Sequence, residues 1–252
     1  MGVVERRRQI IGALKANEEV QVTDLAVILG CSEMTVRRDL EVLERDGILR
    51  RIHGGALRAF HTAEETPYAM RALSHAEEKA RIGRLCADLL NDGETVVLDG
   101  GTTVLEVARA LHSRRMTVMP LALRPVFELH DSADVRLLLP GGEVRPGELS
   151  LIGGISSRSF SELRFDTFVL SPCGIDPEAG VTAHLIGEAD IKRAALKASG
   201  RVIAVADSSK LGVVAFSKVC DLSEVDVVVT DADADPRFVE KLVGLGLDVQ
   251  LA

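Results

Sequence analysis

Ser32-Glu33-Met34-Thr35-Val36-Arg37-Arg38-Asp39-Leu40-Glu41-Val42-Leu43-Glu44-Arg45-Asp46-Gly47 is the stretch of this chain on which its fold turns. At about 100° per residue, Val36, Leu40 and Leu43 share one narrow stripe, while Met34, Arg37, Arg38, Glu41 and Arg45 fall on the opposite side. The pattern predicts an amphipathic helix over Glu33 to Asp46, capped by the Ser32 hydroxyl and ended at Gly47. Taken alone, such arginines read as a solvated helix face. The flanking sequence changes that reading.

Upstream, Ile10, Ile11 and Leu14 recur at helical spacing between Glu5 and Lys15, and this first helix ends at Asn17 before a polar gap. Thr23 is placed to cap a second helix of about two turns, with Leu25, Ala26, Ile28 and Leu29 on its buried side. Gly30 stands where a left-handed residue ends a helix. Only about three residues then lead into the third helix, the connection of a helix-turn-helix. Downstream, Ile48-Leu49-Arg50-Arg51-Ile52, the glycine turn His53-Gly54-Gly55 and Ala56-Leu57-Arg58 read as a hairpin. A hairpin directly after such a helix is a wing. It would set Arg50, Arg51 and Arg58 on phosphates while the start of the third helix reaches base edges in the major groove.

The whole chain has 252 residues, enough for one large domain or two unequal ones. With 46% hydrophobic and 27% charged residues it has a globular composition, neither collagen-like nor disordered. Its apolar runs fall far short of the ~20 residues of a transmembrane helix, and the N-terminus has no apolar signal segment, so a cytoplasmic protein with no membrane partner is expected. Cys31, Cys86, Cys173 and Cys220 are widely spaced, without a C-x-x-C pair, and no two histidines stand four apart. Neither a disulfide framework nor a metal site is expected, and no cofactor is implied. Residues 1–60 hold ten Lys and Arg against nine Asp and Glu; the remainder holds 20 against 29. The net charge of −8 therefore resides in the second part, which leaves the first able to meet DNA locally.

The expected division is a winged helix-turn-helix over residues 1–58, a linker over 59–75 around Thr62 to Pro67, and an α/β domain over 76–252. In the last part helical and β-rich segments alternate: Ala76 to Leu90, Thr95 to Leu98, Val104 to Leu111, Met116 to Leu121, Arg124 to His130 and Val135 to Leu139. Strands follow at Thr167 to Leu170, Val202 to Val205 and Val225 to Val229, with a helix over Gly187 to Ser199. Such alternation predicts a mostly parallel sheet whose ligands bind beyond the carboxyl ends of its strands. The loops there are polar or rich in glycine: Asp99 to Thr103, Pro140 to Glu143, Cys173 to Asp176, Asp207 to Lys210, and Asp231. Gly100 and Gly101 ahead of a helix starting near Thr103 suit an anion such as phosphate, or simply a tight turn. Lys79 and Lys210 are the cations in question, and an Asp207–Lys210 ion pair would orient both groups toward a ligand or be a surface pair of little value.

From Ser32 to Leu40, and through Leu43, Gly47, Leu49, Arg51 and His53-Gly54-Gly55-Ala56, the chain resembles the DeoR family of bacterial transcriptional regulators. The resemblance continues through Arg71, Glu78-Lys79, Asp99, Gly101-Thr102-Thr103, Gly141-Gly142, Gly174-Ile175-Asp176, Glu188, Lys192-Arg193, Asp207-Ser208-Ser209-Lys210 and Phe216. It implies that Ser32, Thr35, Arg37 and Arg38 face DNA and that Asp39 organises arginines. With Met34, Arg50, Arg51 and His53 these make the candidate DNA surface. It also implies a second domain similar to sugar-phosphate isomerases that senses a phosphorylated sugar or related metabolite and changes operator affinity. The candidate effector residues are Lys79, Asp99, Gly100, Gly101, Thr102, Thr103, Gly141, Gly142, Asp176, Glu188, Asp207 and Lys210. The chain departs from the family's pattern at Gly100, at Pro120-Leu121 and at Cys173, where serine, threonine-asparagine and aspartate are usual.

The leading expectation is thus a repressor that binds double-stranded operator DNA and is not an enzyme. Because one winged helix reads little DNA, a homodimer or homotetramer is expected. Two alternatives stand beside it: an isomerase or deaminase carrying a DNA-binding module, with Asp176, Glu188 and Lys210 as its only plausible cast, and a winged helix that binds protein.

Overall fold

A computed structural model describes residues 2–17, 19–45, 49–52, 54–58 and 65–252. The side chains of Val4, Lys15, Ala16, Arg45, Arg50 and Arg58 lie outside that description, as do the whole of His53 and the expected linker residues 62–64. The chain divides into two units, Met1–Ser74 and His75–Ala252.

In the first unit, α1 (Val3–Ala16) is followed by β1 (Glu19–Gln21), α2 (Val22–Leu29), α3 (Glu33–Arg45), β2 (Leu49–Ile52), β3 (Gly55–Arg58) and α4 (Tyr68–Leu73). Ile10, Ile11 and Leu14 of α1 meet Leu25 and Leu29 of α2 and Val36, Leu40 and Leu43 of α3 in one buried cluster. Each fully buried aliphatic side chain there contributes roughly 1.5–3 kcal/mol. Gly30 ends α2 in the left-handed conformation at φ 59°, as its position predicts. Ser32 caps α3, its Oγ accepting from the Thr35 amide at 3.2 Å.

Four expectations need correction here. Gln21, not Thr23, precedes α2, so Thr23 lies inside the helix. Ile28 is 66% exposed, because eight residues of helix bury only the Val22, Leu25 and Leu29 side. The polar gap after Asn17 contains strand β1, which pairs antiparallel with β3, so the wing is three-stranded in the order β1-β3-β2. Residues 68–73 of the expected linker are helical, and Met70 joins the core of the first unit.

The second unit runs α5 (Ala76–Asp88), β4 (Thr95–Leu98), α6 (Thr102–Leu111), β5 (Met116–Pro120), α7 (Leu123–Leu129), β6 (Val135–Leu137), β7 (Glu143–Val144), β8 (Leu151–Ile152), α8 (Gly154–Arg158), β9 (Phe165–Leu170), β10 (Gly174–Asp176), β11 (Gly180–Ala183), α9 (Ile186–Lys197), β12 (Ser199–Val205), β13 (Ser217–Cys220), β14 (Val227–Thr230), α10 (Pro236–Gly244) and β15 (Asp248–Leu251). Seven strands form a parallel sheet in the order β15-β14-β12-β9-β4-β5-β6.

Alternate residues of each strand feed opposite cores, the valine-rich pattern of a sheet covered on both faces. Val96, Leu98, Val118, Val169 and Val229 pack with Ile82, Val104, Val107, Leu111 and Leu129. Val97, Phe168, Leu170, Ala204 and Val228 pack with Ala189, Ile191, Ala195 and Leu242 on the other face. A small antiparallel sheet, β10-β11-β13, contributes Ile175 and Val181 to that second core. The hairpin β7–β8 forms a separate two-stranded sheet.

Candidate functional site

On α3 the residues facing outward are those that the periodicity selects: Met34 is 63% exposed, and Arg37, Arg38 and Glu41 are exposed. Arg37 makes an exposed pair with Glu33 at 3.2 Å, one turn back, a contact that costs little to exchange for a phosphate or a base. Asp39 is buried on the inner face and takes Nε–H bonds from both Arg6 and Arg7 of α1, the latter at 3.0 Å. The arginines that it organises thus lie on another helix, which ties α1 to the back of α3. The wing is fastened to the end of α3 through the Arg51 amide, which donates to Glu44 Oε1 at 2.9 Å. Gly55 is required there, since a Cβ would stand 2.2 Å from the Val20 carbonyl oxygen.

In the second unit, Asp99, Ser171, Asp207 and Asp231 follow β4, β9, β12 and β14 at the carboxyl edge of the parallel sheet. Asp99 is buried. Its Oδ1 accepts from the Gly100 amide at 2.7 Å, and its Oδ2 accepts from the Ser171 amide and Lys192 Nζ, both at 2.8 Å. Burial pushes the Asp99 carboxyl up, against the pull of Lys192 and the two amides. Burial pulls the Lys192 ammonium down, but Asp99, Cys173 and Glu188 outweigh it and hold the ammonium above its ordinary value. Lys192 also donates to the Ser171 carbonyl at 2.7 Å.

Glu188, one turn before Lys192 on α9, accepts from Arg145 Nη1 at 2.7 Å and from Ser150 Oγ at 2.6 Å. Burial raises its carboxyl, yet Lys192, Ser150 and Arg145 bring it below the ordinary range. Arg145, Ser150 and Lys192 are absent from the residues that the sequence reading assigned to the site. The signal for Lys192 was its i,i+4 spacing from Glu188 on one helix face. The hairpin residues carry no such signal.

Beside this network, Gly101 begins α6 at φ 105° with no side-chain cap, and Thr102 and Thr103 are buried in the first turn. Asp207 forms a second buried centre. Its salt-bridge partner is Lys79 at 3.7 Å, and Lys210, the partner expected from spacing, acts on it only through longer-range charge. Burial raises the Asp207 carboxyl, but Ser209, Lys79, Lys210 and His75 together hold it below its ordinary value.

The other candidates serve the backbone. Asp176 Oδ1 accepts from the amides of Glu178 and Ala179 at 2.9 Å, fixing the turn between β10 and β11. Gly142 is demanded by packing, because a Cβ would meet Ser156 Oγ at 1.9 Å, and the Gly141 carbonyl accepts from that hydroxyl at 2.7 Å. A cavity of about 410 Å³ opens beside the Ser208–Lys210 turn, lined by His75, Ser208, Ser209, Leu211, Asp233, Asp235 and Phe238. It includes none of the residues that the sequence reading assigned to an effector.

The profile described as the DeoR-like helix-turn-helix domain matches residues 6–62, and that of the DeoR C terminal sensor domain matches residues 74–232. The HTH-type transcriptional regulator GolR of Listeria innocua is 30% identical over 98% of this chain and 98% of its own length. A putative aga operon transcriptional repressor of Escherichia coli O157:H7 is 32% identical over 99% of this chain and 94% of its own. Among solved structures, the ribose 5-phosphate isomerase of Methanocaldococcus jannaschii is 13% identical and covers 55% of each chain at a TM-score of 0.42. An exposed arginine face on α3, a fastened wing and a sheet-edge polar network meet two adjoining family matches in the same order along the chain, and the chain belongs to the DeoR family of transcriptional regulators.

Proposed function

We propose that the first unit reads double-stranded operator DNA and that the second senses a small phosphorylated sugar or related metabolite that releases it, which makes the protein a repressor. The observation that carries the reading is the division of α3: Val36, Leu40 and Leu43 are buried, while Met34, Arg37 and Arg38 are exposed beside the Ser32-capped N-terminus. Placed in the major groove, that face presents Ser32, Met34, Thr35, Arg37 and Arg38 to base edges, and we assign Arg50, Arg51 and His53 to the phosphate backbone on sequence grounds. The relatives bear names of transcriptional regulators, among them a lactose phosphotransferase system repressor, which supports a sugar-linked effector.

For the effector we assign Lys79, Asp99, Gly100 to Thr103, Glu188, Asp207 and Lys210, with Lys192 added. The start of α6 and these cations suit a phosphate group. A proton-transferring enzyme is the weaker reading, because Asp99 and Glu188 are already occupied by N–H and O–H donors. Release of DNA is then linkage: an effector that favours a spacing of two winged helices unsuited to the operator weakens DNA binding by the factor by which DNA weakens its own. This requires at least a homodimer. No helix among the described residues is long and apolar enough to cross a membrane, and we place the protein in the cytoplasm.

The test is fluorescence anisotropy with labelled duplex from upstream of the protein's own coding region against scrambled duplex, across salt, with a panel of sugar phosphates. Specific, steeply salt-dependent binding that one compound releases is the expected result. Equal affinity for both duplexes in every salt would remove the operator-reading assignment.

A further inference from the structure

The hairpin β7–β8 is tied to the candidate effector network through Glu188. Arg145 and Ser150, on its two sides, both bond the same oxygen of Glu188, Oε1, at 2.7 and 2.6 Å. Other bonds to the hairpin run from the Leu123 amide to Leu149 O, from the Leu151 amide to Leu121 O, from Arg124 Nη2 to Gly147 O at 3.1 Å and from Ser156 Oγ of α8 to Ile152 O at 3.0 Å. Its backbone is unusual. Gly147 has φ 81°, and Leu149, a branched side chain that rarely enters the left-handed region, has φ 60°. Such a conformation persists only where its surroundings hold it.

Glu188 faces two cations of different standing. The Lys192 side chain is 7% exposed and is spent on Asp99 and the Ser171 carbonyl. The Arg145 side chain is 23% exposed, so it is the cation of the two that an anion arriving from solvent can engage, and its guanidinium carries five donors. A guanidinium is also the group best matched to phosphate or carboxylate oxygens.

We propose that Arg145 is an anion-binding residue of the sensor domain, held in reserve by Glu188, and that an anionic ligand takes it over and so loosens the tie between the β7–β8 hairpin and α9. The inference rests on the effector-site reading above and adds to it a residue and a competition. Glu188 is then a positioning residue that acts on the ligand through Arg145. Ser150 keeps its bond to Glu188 when Arg145 leaves, so the carboxylate is not stranded.

Inorganic phosphate, titrated by calorimetry into the full-length protein, separates this competition from a merely structural ion pair. Arg145→Gln weakens phosphate binding and Glu188→Gln tightens it, each by at least about fivefold. A structural pair would make both variants weaker. Direct repulsion of phosphate by Glu188 would also give a tighter Glu188→Gln variant, but that gain would persist in the Arg145→Gln background. The competition predicts that it vanishes in the double variant, and persistence there overturns the proposal. Hydrogen exchange across residues 143–152 in phosphate-free Glu188→Gln tests the tie by itself: faster exchange than in the unaltered protein is expected, and unchanged exchange overturns it. Phosphate that binds nowhere on the unaltered protein overturns the anion assignment, and with it the phosphate part of the effector-site reading, whereas weaker binding in both single variants overturns the competition alone.

Discussion

Arg38 and Arg37 are neighbours on an exposed face, but among the described residues only Arg37 has a carboxylate partner one turn away. Arg38 is therefore the cleaner probe of DNA reading. Arg38→Ala is expected to lower operator affinity by about 1–3 kcal/mol in a gel-shift titration while the thermal midpoint stays unchanged. Unaltered affinity would mean that α3 does not lie in the groove. The four thiols make a second residue-scale case. Burial pushes Cys86 up to about 12, against a small pull from Arg201. Burial, with Glu224 and Asp221 adding to it, pushes Cys220 to about 12 as well. Cys31 and Cys173 are only partly covered. Because the thiolate is the reacting form, native protein at about pH 8 should be alkylated at Cys31 and Cys173, with Cys86 and Cys220 labelled only after denaturation. Mass spectrometry of the native digest checks this, and early labelling of Cys86 would contradict the packing of α5 against α6 and the sheet.

Elements answer to different forces, and the wing shows it. Gly55 opposes Gln21 in the β1–β3 ladder, and the space that a Cβ would need holds the Val20 carbonyl. Backbone cannot swing aside as a side chain can, so Gly55→Ala should cost at least about 1–3 kcal/mol and detach β1 from the wing. Loss of exchange protection at β1 and β3 with α1 to α3 still protected is the expected signature. The same strand marks where the sequence falls silent. Glu19–Gln21 has a single buried side chain, Val20, and three residues with one apolar member carry no period. The hairpin β7–β8 has only two residues on each side, and α4 is a six-residue helix after Pro67, too short for a helical repeat. By contrast α3, β4 and β14 were legible because burial on one side or both dictates their composition. The candidate site was legible to the same extent. Asp99 and Asp207 stand at strand ends and invite attention, whereas Lys79 reaches Asp207 from a distant helix, a pairing that spacing cannot show. Asp176 and Gly142 were singled out as chemistry, but a turn and a close contact already account for their residue types.

For the whole molecule, charge buried in the second unit makes its stability depend on acid in a predictable sense. Glu188 and Asp207 are both held below their ordinary values, 4.5 and 3.8, by the donors and cations around them despite burial. A carboxylate with a depressed folded-state pKa binds its proton more readily in the unfolded chain. Its contribution is therefore complete above the unfolded value and disappears as pH falls through the folded one. Asp99 acts in the opposite sense, since burial raises it and acid relieves part of that cost. The share of stability that Glu188 and Asp207 supply to the second unit is therefore expected to be complete near neutrality and to be lost once the pH drops below about 4.5. Glu188→Gln removes one of the two. At neutral pH it should melt below the unaltered protein, because Arg145 and Lys192 lose the charge that they face. That deficit should shrink as both proteins are acidified, since protonation takes the same charge from the unaltered chain. Calorimetric scans from about pH 7 to about pH 3 would show the two midpoint curves converging. Curves that stay parallel would mean that Glu188 stabilises the domain by packing alone, and that its carboxylate exerts no hold on Arg145 or the hairpin.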